Sequence, residues 1–221
     1  GATAARMEIA EMAADGTMRI LDSLCHPVLL GKDTFTLGRI QLTTSEDCVN
    51  ILKRFKRVME EYGMTDKDYV RAVATSSVRE AANRDMFLDR IYIATGLNIE
   101  VLEEAEETRM TYLAAHSVLQ EEKDLKKQDA LIIEIGGGDS ELLVVQDGYI
   151  TFANTYRLGS LRMRETLGLA QAPQQKIPGM LTKHIQLSAD QIKRSVPIEK
   201  APSLIAISGD ARFAVSQLVE N

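Results

Sequence analysis

The run Ile132-Ile133-Glu134-Ile135-Gly136-Gly137-Gly138-Asp139-Ser140-Glu141-Leu142-Leu143-Val144-Val145 restricts what this chain can fold into more than any other stretch. Two apolar segments rich in β-branched residues flank three consecutive glycines, the pattern of a buried strand, a tight turn and a second buried strand. Glycine admits backbone conformations that side chains forbid, and it lets main-chain N–H groups come close to a ligand. Successive N–H groups in such a turn can form a concave anion site. Carboxylates at Glu134 and Glu141 stand on either side of it. A phosphate-sized anion beside carboxylates suits a divalent cation between them, most simply Mg²⁺ held through oxygen. The same run equally suits a plain hairpin in any mixed sheet, because Gly-Gly is a common turn signal.

Composition narrows the function classes. The 26 basic and 32 acidic side chains leave a net charge of -6. That argues against extended nucleic-acid binding, which needs a basic stripe to replace counterions. A phosphorylated substrate stays compatible, since bound cations or a local arginine cluster can reverse the field inside one cleft. No apolar run approaches a membrane span, and no signal-peptide pattern opens the chain. Cys25 and Cys48 have no metal-ligand spacing, so reduced thiols in a cytoplasmic protein are expected. His26, His116 and His184 are scattered too, suggesting neither a zinc site nor a Cys/His nucleophile pair.

Along the chain, Met7 to Met12 and Met18 to Asp22 read as a hairpin around Asp15-Gly16. Helical spacing of apolar residues runs from Cys48 through Tyr62, with Thr44 or Ser45 as the cap and Gly63 as the stop. Tyr69 to Ala74 reads as a strand, and Thr75-Ser76-Ser77 introduces a helical stretch near Val78. Further helices are expected over Asn83 to Gly96 and Glu106 to Leu119, with a short strand at Ile99 to Leu102. The charged span Glu121 to Asp129 is the expected domain boundary, dividing the chain into 1–125 and 126–221. Beyond it come strands at Leu131 to Ile135, Glu141 to Gln146 and Ile150 to Asn154, with a turn at Asp147-Gly148. A helix begins at Leu158, Pro173 to Pro178 reads as a loop, and Ser188 to Ser195 as a helix. Leu204 to Ile207 is a strand entering Ser208-Gly209-Asp210, and Ala211 to Val219 is helical. Sheets and helices mixed in both parts point to α/β layers.

Several of these elements carry chemistry. Glu134 sits on an otherwise apolar strand, where a carboxylate is costly unless it is paired or metal-bound. Glu141 could hold a cation or orient water, or simply face solvent at the start of a strand. Thr75, Ser76 and Ser77 offer hydroxyls and N–H groups at a helix start, followed by the guanidinium of Arg79. That suits an anion, although the hydroxyls could only be capping the helix. Glu104, Glu106 and Glu107 favour the next helix start through its dipole, and also supply a carboxylate able to activate water.

The ordered segments Ala74-Thr75-Ser76-Ser77-Val78-Arg79-Glu80-Ala81-Ala82-Asn83, Glu106-Glu107-Thr108-Arg109, the glycine turn, and Leu158-Gly159-Ser160-Leu161-Arg162 span most of the chain. Together they resemble the exopolyphosphatase and guanosine-pentaphosphate phosphohydrolase (Ppx/GppA) family, a branch of the actin-like, sugar-kinase and Hsp70-like ATPase fold. The resemblance implies two ribonuclease-H-like α/β lobes with an interdomain cleft, incomplete at both ends. It implies Mg²⁺-dependent attack of water on a terminal phosphoanhydride of inorganic polyphosphate, or of guanosine penta- or tetraphosphate. On this resemblance Arg79 is a phosphate clamp, and the catalytic base lies in the Glu106-Glu107 pair, with spacing favouring Glu107. Glu134 and Glu141 bind the metal or its waters, Gly136, Gly137 and Gly138 cradle phosphate, and Thr75, Ser76 and Gly209 add to the phosphate site. A homodimer is the default expectation for such an enzyme.

The chain departs from the family pattern in three places. Glu134 stands where the family has aspartate, and Mg²⁺ is strict about geometry. The family's opening phosphate loop is reduced to Gly1-Ala2-Thr3-Ala4-Ala5-Arg6, without the strand and aspartate before it. Its second glycine turn is Ser208-Gly209-Asp210, soon followed by the last residue. These departures keep two further readings open: a member that binds phosphate compounds without turning them over, and a small-molecule kinase of the same fold.

Overall fold

Strand β1 (Ala4–Met12) and strand β2 (Met18–Pro27) pair antiparallel in a hairpin, and the register shifts between Ile9 and Ala10. The turn between them closes on two main-chain bonds, Ala13 N–H to Thr17 O at 2.9 Å and Gly16 N–H to Ala13 O at 3.0 Å. Gly16 has φ +86°, a left-handed value that glycine adopts without the clash a Cβ would make. The hairpin expected from alternation is present, and both strands run further than the alternation shows.

This computed structural model describes residues 1–64, 70–121, 129–147, 149–168, 171–197 and 203–219. They fall into two compact α/β units, Gly1–Leu102 and Glu103–Asn221. The boundary expected at 125/126 and Gly148 of the expected Asp147-Gly148 turn lie outside the described residues, as does Tyr69 at the head of the expected strand.

In the first unit, helix α1 (Leu30–Leu37) is an element the sequence reading omits. Gly31, Thr34 and Thr36 are poor helix formers, so local propensity hides it. Burial of Leu30 with Val28 and Ile40 supplies the driving force instead. Helix α2 (Leu42–Glu61) begins earlier than expected, and Thr44 and Ser45 are buried within it rather than capping it. Asp33 secures the helix start from outside, accepting from Gln41 N–H and from Gln41 Nε2, each at 2.9 Å.

Strand β3 (Ala72–Ala74) lies parallel to β4 (Ile99–Val101), with helix α3 (Ser76–Arg79) and helix α4 (Arg84–Thr95) between them in the chain. Helix α4 stops on Gly96 at φ +72°, as the sequence leads one to expect. The α3 segment is tied down by long-range bonds. Thr34 Oγ1 donates to Ser77 O at 2.6 Å, Ala82 N–H to Gly38 O at 2.9 Å, and Asn83 exchanges two bonds with the main chain of Ile40.

The second unit is built on a four-stranded sheet. Its strands are β5 (Ala130–Ile135), β6 (Ser140–Gln146), β7 (Tyr149–Tyr156) and β8 (Ser203–Ile207), in the order β7-β6-β5-β8. Strand β8 runs parallel to β5, and the other pairs are antiparallel. Helix α5 (Glu104–Glu121) packs on this sheet, with Ala115 and Tyr112 against Ile132, Leu143 and Val145. Helices α6 (Ser160–Thr166), α7 (Ile177–Ser195) and α8 (Gly209–Val219) complete the unit. Helix α7 is longer than expected and takes in part of the stretch Pro173 to Pro178 read as a loop. Pro178 sits in its first turn, where the missing N–H breaks no helical bond, so the proline did not mark an end.

Ile91 is fully buried, whereas Ile93 two residues on in α4 is 84% exposed. Ile91→Ala is expected to lower stability by about 3 kcal/mol, and Ile93→Ala by no more than about 0.5 kcal/mol. Urea unfolding of the two variants checks the contrast.

Candidate functional site

In the β5–β6 hairpin the register sets Glu134 directly opposite Glu141 and Ile135 opposite Ser140, leaving Gly136 to Asp139 as the connection. Residues paired across antiparallel strands put their side chains on one face, and like charges placed so repel. Helix α5 contributes from above the sheet. Thr111, buried and one helical turn beyond Glu107, donates its hydroxyl to Glu134 Oε2 at 2.6 Å.

Glu141 is only 7% exposed, and its Oε2 has no hydrogen-bond partner among the described residues. Burial pushes its carboxyl up to about 7. The Thr111 hydroxyl opposes part of that rise, and the charges of Glu134, Glu107 and Asp139 add to it. Three acidic side chains are thus close enough to act on Glu141. Among the described residues, no group of three or more His, Cys, Asp and Glu side chains is placed to hold a metal by itself. Two facing carboxylates, one with a buried unpartnered oxygen, do fit a hard cation that draws its other ligands from water and phosphate oxygens.

The glycine turn is held from behind by the loop leading into α6. Ser160 N–H donates to Gly136 O at 3.0 Å and Arg162 N–H to Gly137 O at 2.9 Å, while Arg162 Nε reaches Gly138 O at 2.6 Å. Arg162 also pairs with Asp139 at 3.1 Å, both side chains being largely buried, and Ser140 Oγ donates to Leu158 O. The turn's carbonyls therefore point to α6. Among the described residues no acceptor takes the N–H groups of Gly137 and Gly138, which suits an anion.

The glycines of the turn do not use the left-handed backbone that glycine permits. The glycines with positive φ among the described residues are Gly16, Gly38, Gly63, Gly96 and Gly168, none of them in the turn. The constraint is close approach: a Cβ on Gly159 would stand 2.3 Å from the Gly138 carbonyl carbon and 2.4 Å from that of Gly137. Gly209 is exposed and its Cβ would meet nothing within 4 Å, so space does not demand glycine there. It opens α8, whose first turn is capped by Ser208 Oγ from Ala211 N–H at 3.0 Å. The preceding Ile207 lies opposite Glu134 in the β5–β8 ladder.

Thr75, Ser76 and Arg79 belong to the first unit. Thr75 is the residue before α3, yet no side-chain capping bond forms there, so the capping use considered for these hydroxyls is not the one adopted. Ser76 is buried, and so is Ser77, whose Oγ has no partner among the described residues. Arg79 Nη1 donates to Leu102 O at 2.5 Å.

Residues 9–218 match the model of the Ppx/GppA phosphatase family. The chain belongs to that family. Among its Ppx/GppA relatives, Exopolyphosphatase 1 of Mycobacterium leprae is 30% identical over 109 residues, which are 49% of this chain and 30% of the relative. An exopolyphosphatase-like protein of known structure is 28% identical, with a TM-score of 0.75 over 94% of this chain and 63% of that one. The exopolyphosphatase of Cytophaga hutchinsonii shares the fold at a TM-score of 0.80 with 20% identity, over all of this chain and 70% of its own. The chain thus spans less than a third of the curated relative and about two thirds of the two solved structures.

Within this Ppx/GppA chain, the second unit brings Glu107, Glu134, Glu141 and the glycine turn into one neighbourhood. Sequence reasoning passed over Thr111 and Asp139 and left Arg162 unassigned. Thr111 had one visible signal, its position four residues after Glu107 and hence on the same helix face.

The folded protein holds a proton on Glu141 that the unfolded chain releases above the ordinary value of 4.5. Stability in EDTA is therefore expected to fall as pH rises from about 4.5 to about 7, by up to about 3 kcal/mol. Glu141→Gln removes that slope, which urea unfolding at several pH values measures; an unchanged slope refutes the assignment. Gly159→Ala is expected to cost about 3 kcal/mol or more, because backbone rather than a flexible side chain must move.

Proposed function

We propose that this protein hydrolyses the terminal phosphoanhydride bond of inorganic polyphosphate, with guanosine penta- or tetraphosphate as a second substrate class. The observation that carries the reading is the buried, unpartnered Glu141 Oε2 facing Glu134, beside Glu107 and a glycine turn whose Gly137 and Gly138 N–H groups meet no acceptor among the described residues. In this reading Glu134 and Glu141 hold Mg²⁺, which when bound neutralises charge on the phosphate chain. Glu141 would hold the ion as its carboxylate, having given up its proton to solvent. Gly137 and Gly138 donate N–H groups to phosphate oxygens, and Gly209 lies at the same end of the sheet.

Glu107 orients a water and takes its proton as the water oxygen bonds to the terminal phosphorus. The bridging P–O bond breaks, and the shortened chain leaves carrying the electron pair on oxygen. Glu106 is the other candidate for the base, Arg79 neutralises phosphate charge, and Thr75 and Ser76 supply hydroxyls to phosphate. We also read the two units as ribonuclease-H-like lobes of the actin-like ATPase fold, in a cytoplasmic enzyme.

A second reading, phosphate binding without turnover, is favoured by the raised proton affinity of Glu141, which weakens a two-carboxylate metal site near neutral pH. Phosphate release from polyphosphate with Mg²⁺ separates the two. Glu107→Gln is expected to lower kcat by about 100-fold or more. Equal rates in wild type and variant remove Glu107 from the base role. Tight polyphosphate binding with no release supports the binding reading, and phosphate transfer from ATP to a small acceptor supports a kinase.

A further inference from the structure

We infer that Thr111 is a positioning residue for Glu134: its hydroxyl fixes the carboxylate at the place where the pair with Glu141 can share a cation. The inference rests on the metal-binding part of the function proposed above.

Glu134 has three side-chain torsions and faces a second carboxyl across the strand pair, so whenever both are ionised repulsion drives it away from Glu141. Among the described residues it has one hydrogen-bond partner, Thr111 Oγ1 at 2.6 Å. That distance is typical of a hydroxyl donating to an ionised carboxylate. Thr111 is only 8% exposed, so water competes little for the bond.

A threonine within a helix commonly turns its hydroxyl back to a carbonyl of the preceding turn. Here the proton goes across to the sheet instead. A donor on one oxygen of Glu134 restrains the whole side chain and leaves its remaining lone pairs for a ligand. Thr111 and Glu107 lie one turn apart on α5, so the same helix face that carries the proposed base also sets Glu134. Ala115, a further turn on, is buried against Ile132 and Leu143, which anchors that face to the sheet.

The test is a cycle of Thr111→Val, Thr111→Ser, Glu134→Asp and the double variant Thr111→Val/Glu134→Asp. The readouts are Mn²⁺ binding by electron paramagnetic resonance, thermal unfolding in EDTA, and polyphosphate kinetics. Thr111→Val, which keeps the shape and loses the hydroxyl, is expected to weaken Mn²⁺ binding by about tenfold, the lower end of losses seen for outer-shell ligand partners. Thr111→Ser retains binding close to wild type. In the Glu134→Asp background the shorter carboxylate withdraws from the hydroxyl, so Thr111→Val adds no further loss.

Under saturating polyphosphate Thr111→Val lowers kcat more than it changes KM, and Thr111→Ser restores it. Equal effects of Val and Ser would mean that Thr111 acts through packing, and the same Val penalty in both backgrounds that it acts through packing or through Glu141; either result overturns the inference. Absence of Mn²⁺ binding in the wild type overturns it as well. If wild type releases no phosphate while the Mn²⁺ contrast holds, the hydrolysis reading fails and the positioning role stands.

Discussion

Two carboxylates forced to face one another across a strand pair govern the second unit. The β5–β6 register opposes Glu134 and Glu141, and buried apolar residues on the same strands hold that register: Ile132 and Leu143 are fully buried, and Val145 nearly so. A slip of one residue would send Glu134 to the other face and expose the core set, so the hydrophobic pattern enforces the repulsion. The surroundings then answer the charge in three ways. Thr111 binds Glu134, Glu141 retains a proton more tightly than a solvated glutamate, and Arg162 neutralises Asp139.

The turn joining those strands is shaped by what lies behind it. Gly159 presses its backbone against Gly137 and Gly138, and the start of α6 consumes the turn's carbonyl groups. Turning the carbonyls to the protein leaves the opposite polarity, N–H, on the other side. The turn therefore takes its shape from close packing and hydrogen-bond direction, without left-handed backbone at any of the three glycines. Arg162 links this turn to the acidic cluster, because one guanidinium reaches both Gly138 O and Asp139.

Elements with strong local signals could be read directly from the chain. The β1–β2 hairpin, the α4 helix ended by Gly96, and the β5–β6 pair around the glycines all follow from alternation, helical period or turn chemistry. Elements whose stability is tertiary could not. Helix α1 has weak propensity and depends on burying Leu30, and the start of α2 is secured by Asp33 reaching across from α1. Proline at the head of α7 resembled a loop because the same residue both begins helices and interrupts them.

The sequence by itself determined the family, the β5–glycine–β6 unit and the identity of the acidic residues, since each rests on residue order and short-range pattern. Only the tertiary structure decided how those groups are used. That α5 lays Thr111 against Glu134, that Glu141 is buried with an unpartnered oxygen, and that Gly159 has no room for a Cβ beside Gly137 and Gly138 are all long-range facts. Burial and like-charge proximity set proton affinity, and neither is a property of a residue type. Both arise when residues far apart in the chain share one dry volume.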